Sequence, residues 1–180
     1  MNEDRCDTYC GIYCGACSIL MYGKTGRADG FTACLGGVPK EELACRGCKS
    51  DKVYAGCRVC TFRGCVAEKG VAHCVDCADY PCNMYKRWQG AASILPHVGE
   101  APASLNTIKR DGLDAWLEEQ KKRWSCPDCG EPFSWYAAEC GNCGRSLSSV
   151  AFELKGWRKF LCRIILPLGY RKGKAKRPAA

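Results

Sequence analysis

Cys126-Pro127-Asp128-Cys129-Gly130, followed after ten residues by Cys140-Gly141-Asn142-Cys143-Gly144, is the stretch on which the reading of this chain turns. A Cys-x-x-Cys turn lets two sulfurs face one ion. The glycine after each pair allows the left-handed backbone that such a knuckle needs. Two knuckles facing each other present four thiolates at the corners of a tetrahedron, about 2.3 Å from a zinc ion. Four closed ligands leave no position for water, so the expected zinc is structural. Two matched pairs argue against a redox Cys-x-x-Cys. Phe133-Ser134-Trp135-Tyr136 between the knuckles is aromatic and suits a short strand, so the expectation is a zinc ribbon with short β hairpins. The three rings either stack on nucleic-acid bases or cover the ribbon's small core.

Outward from the ribbon, the rest of the chain is just as rich in thiols. Cysteine makes up 18 of 180 residues. Thirteen lie in residues 6–82, none in 83–125, four in 126–143, and Cys162 stands alone. Such density marks a metal-bound or cross-linked scaffold. The first ten residues, MNEDRCDTYC, are polar and acidic, and no apolar run approaches the length of a membrane span. The expected compartment is therefore the cytoplasm, where thiols stay reduced and paired cysteines bind metal.

The amino-terminal cysteines form four further pairs: Cys14 with Cys17, Cys45 with Cys48, Cys57 with Cys60, and Cys74 with Cys77. With Cys10, Cys65 and Cys82 they make eleven metal-ligand candidates. Cys34 or His73 is the candidate for a twelfth, which would complete three four-coordinate sites. Cys57, Cys60, Cys74 and Cys77 have ribbon-like spacing and are the first grouping to expect. Sets of four cysteines hold iron–sulfur clusters as well as zinc, so an Fe–S cluster in this region is the alternative. Cys10, Cys14 and Cys17 also match the C-x3-C-x2-C spacing of radical S-adenosylmethionine enzymes. Those need a large barrel of alternating strands and helices, and no such alternation follows. Asp76 and Asp79 read as turn residues rather than catalytic carboxylates. There is no phosphate-cradling loop, no Ser–His–Asp order and no HExxH, so catalysis is not expected.

Between the thiol-rich regions, Leu113, Trp116, Leu117, Gln120 and Trp124 recur at helical spacing and predict a packing helix after Asp111-Gly112. A shorter helix is predicted over residues 103–110, with Pro102 in its first turn. The formal net charge of +8 is confined to one end. Residues 150–180 hold nine Lys or Arg and one acid, Glu153, which leaves 18 of each sign in residues 1–149. Thiolate sites would make that body more negative still, which weighs against a nucleic-acid-binding body. Within the basic end, Leu154, Trp157, Leu161, Ile164 and Ile165 share a helical face, with Phe160 at its edge. This predicts an amphipathic helix over residues 150–166, stopped by Pro167, then an unstructured basic extension. The stripe folds back on the helix of residues 113–124, the commonest use of such a stripe, or else docks on a protein partner or an anionic membrane surface. Cys162 reads as a small filler.

Several of these motifs occur together in a known family. Tyr9-Cys10-Gly11-Ile12-Tyr13-Cys14-Gly15-Ala16-Cys17, Cys45-Arg46-Gly47-Cys48, the run from Cys57 through Cys60 and Cys65 to Gly70, and Cys74-x-x-Cys77-x-x-Tyr80-Pro81-Cys82 resemble the cysteine-rich prokaryotic domain-of-unknown-function family 3795. The likeness covers about residues 8–90. The helix ending at Trp124 joined to a ribbon resembles a longer subtype of that family. The resemblance implies metal binding through the aligned cysteines, excludes Cys6 and Cys34, and implies no activity.

The reading is of a small, metal-stabilised, mostly α fold with short β hairpins: a cysteine-rich zinc-knuckle domain plus a zinc ribbon. Residues 1–90 form the knuckle domain, 91–125 a helical connector, 126–149 the ribbon and 150–180 the basic helix and tail. The expected function is that of a zinc-binding, non-catalytic interaction module whose basic helix meets a protein partner or an anionic membrane surface. The alternatives are an iron–sulfur protein of anaerobic redox or cofactor metabolism, and a nucleic-acid-binding zinc protein. The expected location is cytoplasmic, with attachment to a membrane surface as the alternative.

Overall fold

A computed structural model describes residues 6–36 and 38–175. Among the described residues seven α-helices are joined by short 3-10 turns: α1 (Ser18–Thr25), α2 (Ala55–Arg58), α3 (Thr61–Lys69), α4 (Asn83–Gln89), α5 (Ala101–Asp111), α6 (Leu113–Arg123) and α7 (Gly156–Ala175). The fold is mostly helical, as the sequence predicts.

Helices α5 and α6 follow the periodicity of the cysteine-free middle. Pro102 sits in the first turn of α5, and the chain breaks at Gly112 before α6 begins. Trp116, Gln120 and Trp124 are buried on one face, with the Trp124 Nε1–H donating to Gln120 Oε1 at 3.2 Å. Arg123 pairs with Glu100 rather than within its own helix.

Three apolar clusters hold the elements together. One is built on Trp116, Leu105, Tyr85 and Phe62, and it fixes α5 and α6 over the amino-terminal cysteines. A second contains Ile19, Leu35, Leu43 and Tyr54. The largest joins Ala16 and Cys34 to Trp124, Phe133, Trp135, Leu147, Leu154 and Cys162, and so draws on all four segments expected from the sequence.

The expected β hairpins require correction. Among the described residues there is no β-strand, only isolated antiparallel bridges between Ser125 and Pro132 and between Glu139 and Ser146. The reason lies in where the backbone groups go. The Trp135 N–H donates to the Ala16 carbonyl at 2.9 Å, and the Trp135 carbonyl accepts from Phe152 N–H at 2.7 Å. The segment expected as a strand is thus bonded to other parts of the chain instead of to a ladder of its own.

The carboxy-terminal helix also differs. It starts at Gly156, not residue 150, and continues through Pro167 to Ala175. Leu166 packs into two of the clusters and Tyr170 stacks on Tyr54, 6.1 Å between ring centroids, so contacts on both sides of Pro167 hold the helix where propensity would end it. Residues 176–180 of the basic extension lie outside the described residues. Helix α7 docks on α2 and on the 3-10 turn Thr32–Cys34, not on α6. Among the described residues no helix is long and apolar enough to cross a membrane.

Candidate metal centre

The four ribbon cysteines converge as their spacing requires. The sulfurs of Cys126, Cys129, Cys140 and Cys143 all lie within 4.8 Å of one another. Cys126 and Cys143 are 3.6 Å apart, and Cys129 and Cys140 3.5 Å. Sulfurs at 2.3 Å from a central zinc would stand about 3.8 Å apart, so the quartet fits a single ion.

Each knuckle is built by the same two backbone bonds. Cys126 N–H donates to Glu131 O at 2.9 Å and Gly130 N–H to Cys126 O at 2.8 Å. Cys140 N–H donates to Arg145 O at 2.8 Å and Gly144 N–H to Cys140 O at 3.0 Å. Gly130 and Gly144 have φ of 75° and 74°, the left-handed turn that only glycine adopts freely. Asp128 of the first knuckle pairs with Arg145 of the second. Cys126 and Cys140 are buried against the aromatic cluster, while Cys129 and Cys143 face solvent. Backbone N–H groups of Cys143 and Asn142 pull the Cys140 thiol well below its ordinary range, since they stabilise the thiolate that a metal needs.

Phe133, Trp135 and Tyr136 are buried. Trp135 lies flat on His97, and Tyr136 stacks on Phe31. The trio is therefore packed into the core beside the four cysteines and offers no ring to a nucleic-acid base.

In the amino-terminal half, the loop carrying Cys10, Cys14 and Cys17 meets the Cys45–Cys48 turn and the start of α2 and α3, where Cys57 and Cys60 sit. Burial pushes the Cys14 thiol well up, and neighbouring Cys17, Cys48 and Cys57 add to it. Burial takes the Cys17 thiol to about 12, with Cys45 contributing. Cys10 also reaches about 12 through burial, reinforced by Cys60 and Cys48. A separate cavity of about 60 Å³ is lined by Cys65, Cys74, Cys77 and Cys82 together with apolar side chains such as Val66 and Met84. Cys65 comes from α3, Cys74 and Cys77 flank a 3-10 turn, and Cys82 precedes α4. Cys65, Cys74, Cys77 and Cys82 thus line one cavity, while Cys57, expected with Cys74 and Cys77, neighbours Cys17 and Cys45; among the described residues only the 126–143 quartet brings three or more ligand atoms within 4.8 Å of one another.

Neither candidate for a twelfth ligand stands among these sulfurs. His73 Nε2 lies 3.2 Å from Asp7 Oδ2 and 3.1 Å from Lys49 Nζ, and Lys49 Nζ is 2.6 Å from the same carboxylate oxygen. All three side chains are almost fully buried. This charged knot, invisible at sequence separations of 42 and 66 residues, ties the amino-terminal loop to the Cys45–Cys48 turn and to the Cys74 turn. Cys34 lies instead against α7, its Sγ bonded to Gly30 O at 3.3 Å. Cys162 is wholly buried beside it, as a filler should be. Asp76 accepts the His73 N–H at 2.9 Å and so caps its turn, and exposed Asp79 pairs with Lys69 of α3.

Residues 6–87 match the family model described as "Protein of unknown function (DUF3795)". Over that segment the chain is similar to this family. No curated protein and no solved structure matches the chain. The DUF3795 segment takes in the amino-terminal cysteines from Cys6 to Cys82. The ribbon and α7 lie outside it.

Proposed function

We propose that this protein is a metal-organised, non-catalytic interaction module. Zinc is held by Cys126, Cys129, Cys140 and Cys143, and thiolate-bound metal by Cys10, Cys14, Cys17, Cys45, Cys48, Cys57, Cys60, Cys65, Cys74, Cys77 and Cys82. The observation that carries the reading is the ribbon quartet, four sulfurs spaced for one tetrahedral ion with no position left open. Such a site supplies folding energy rather than chemistry. Both histidines are engaged elsewhere, His73 with Asp7 and Lys49, His97 with Trp135 and Tyr136. The longer, ribbon-bearing subtype of the family and a cytoplasmic location belong to the same proposal.

One observation favours a second reading for part of the chain. The cavity at Cys65, Cys74, Cys77 and Cys82 is several times the space one water requires. Four cysteines around such a space suit an iron–sulfur cluster. Elemental analysis and visible absorbance of anaerobically purified protein test both readings. A colourless protein with several zinc ions per chain supports the first. Iron and labile sulfide, with brown absorbance lost in Cys77→Ser but kept in Cys143→Ser, place a cluster in the cavity. A chain that folds free of any metal overturns both.

A further inference from the structure

Helix α7 presents its apolar side to solvent. Trp157, Phe160, Leu161, Ile164, Ile165 and Leu168 share an arc of about 140° on the helix. Trp157 is 57% exposed, Phe160 65%, Ile164 46% and Leu168 51%. The opposite arc lies on α2 and on the Thr32–Cys34 turn and carries small residues at its closest approaches. Cys162 and Gly173 are buried there, and Leu166 and Tyr170 fill the spaces between. A Cβ on Gly173 would stand 1.7 Å from the Ala55 carbonyl oxygen, so the inner face is seated by close approach of backbones. The ordinary arrangement for a surface helix is the reverse, with the apolar stripe against the core. An exposed apolar stripe of this size marks a surface that is covered in use.

The charge of α7 identifies the cover. Residues 156–175 contain six Lys or Arg and no Asp or Glu. Arg163 flanks the stripe, and Arg171 and Lys172 continue its line beyond Leu168, all three exposed. We propose that α7 is an interfacial helix, with Trp157, Phe160, Ile164 and Leu168 set into an anionic lipid surface and Arg171 and Lys172 on its headgroups. An apolar face bordered by cations alone, with an aromatic residue at its start, is the pattern of helices lying in a membrane interface. This deepens the interaction-module reading by naming the partner. It stands apart from the metal assignment, because metal content and vesicle binding are measured separately.

The test is co-sedimentation of full-length, metal-loaded protein with vesicles of phosphatidylcholine containing phosphatidylglycerol, and with phosphatidylcholine alone. The expected result is binding to the anionic vesicles that weakens with salt. Phe160→Asp with Ile164→Asp should weaken it at least tenfold while metal content and thermal midpoint stay unchanged. Arg171→Gln with Lys172→Gln should weaken it by about fivefold per residue and flatten its salt dependence. This second pair keeps the proposal testable should the first disturb folding. Absence of vesicle binding overturns the proposal, as does binding that both variants leave intact. A dimer that the Phe160→Asp, Ile164→Asp protein no longer forms, without vesicle binding, assigns the stripe to a second copy and also overturns it.

Discussion

His97 lies flat against Trp135, with ring centroids 4.1 Å apart and planes within 10° of parallel. Its Nδ1 is 2.7 Å from the Tyr136 hydroxyl, a hydrogen bond inside the ribbon core. Through this one ring the turn of residues 96–100 is stapled to the segment that carries the cysteine quartet.

A pH dependence follows. Burial holds the His97 imidazole down at about 3, so the folded state keeps it neutral. The unfolded chain takes up a proton near pH 6.5. Between those values the unfolded state binds the extra proton. The stabilisation is therefore complete above about pH 6.5 and is lost as pH falls toward 3. Between pH 7 and pH 5 the loss should be about 2 kcal/mol, at 1.4 kcal/mol per pH unit below 6.5. Denaturant unfolding of metal-loaded protein and of His97→Phe isolates it, since acid acts on the thiolates of both alike. Equal losses in the two proteins would show that His97 is not the group responsible.

Removing an exposed ribbon ligand tests the metal quartet. Cys143→Ser should lose one zinc equivalent and, with it, most of the roughly 10–16 kcal/mol that such a site contributes to folding. Because Trp135 bonds to Ala16 and Phe152 bonds to Trp135, the damage should reach those two contacts while the cavity at Cys65, Cys74, Cys77 and Cys82 stays formed. Tryptophan emission should shift to the red as Trp135 and Trp124 become wet. Full zinc stoichiometry in the variant would refute the quartet.

Two glycines of α7 should respond oppositely to alanine. A Cβ at Gly173 meets the Ala55 carbonyl at 1.7 Å, and that backbone cannot yield without lifting α7 from α2. Gly173→Ala should cost about 1–3 kcal/mol. Nothing lies within 4 Å of a Cβ at Gly169, so Gly169→Ala should stabilise the helix by about 1 kcal/mol. Thermal unfolding with hydrogen exchange along α7 distinguishes them, and matching effects would mean that α7 is seated differently.

The buried knot of Asp7, Lys49 and His73 makes a further prediction. Lys49→Met removes the cation 2.6 Å from the Asp7 carboxylate and should cost about 3–5 kcal/mol, the usual penalty for breaking a buried pair from one side. Adding Asp7→Asn should recover much of the loss, because the charge left behind is then gone. Additive losses in the double variant would mean that the two side chains do not act as a pair.

The knuckles at Cys126–Gly130 and Cys140–Gly144 and the helix after Gly112 were legible in the sequence, because each is set by contacts a few residues apart. A Cys-x-x-Cys-Gly turn needs only its own backbone and a metal, and Trp116, Gln120 and Trp124 share a face by helical geometry alone. What residues between the knuckles bond to was not legible. The partners of Trp135 are Ala16 and Phe152, and only the assembled chain brings them near. The same holds for Pro167, which stops a helix by propensity but sits within one here, since Leu166 and Tyr170 are anchored on either side.

By itself the sequence determined that Cys126, Cys129, Cys140 and Cys143 come together and where α7 is apolar, since both rest on local spacing. Only the tertiary structure decided that Cys65, Cys74, Cys77 and Cys82 surround one cavity and that the apolar side of α7 faces outward. Hydrophobic spacing marks a stripe without saying what covers it. On α7 the inward face is the one where Gly173 lets the α7 and α2 backbones approach to contact and Cys162 fits beside Cys34, while the larger apolar area lies on its other side.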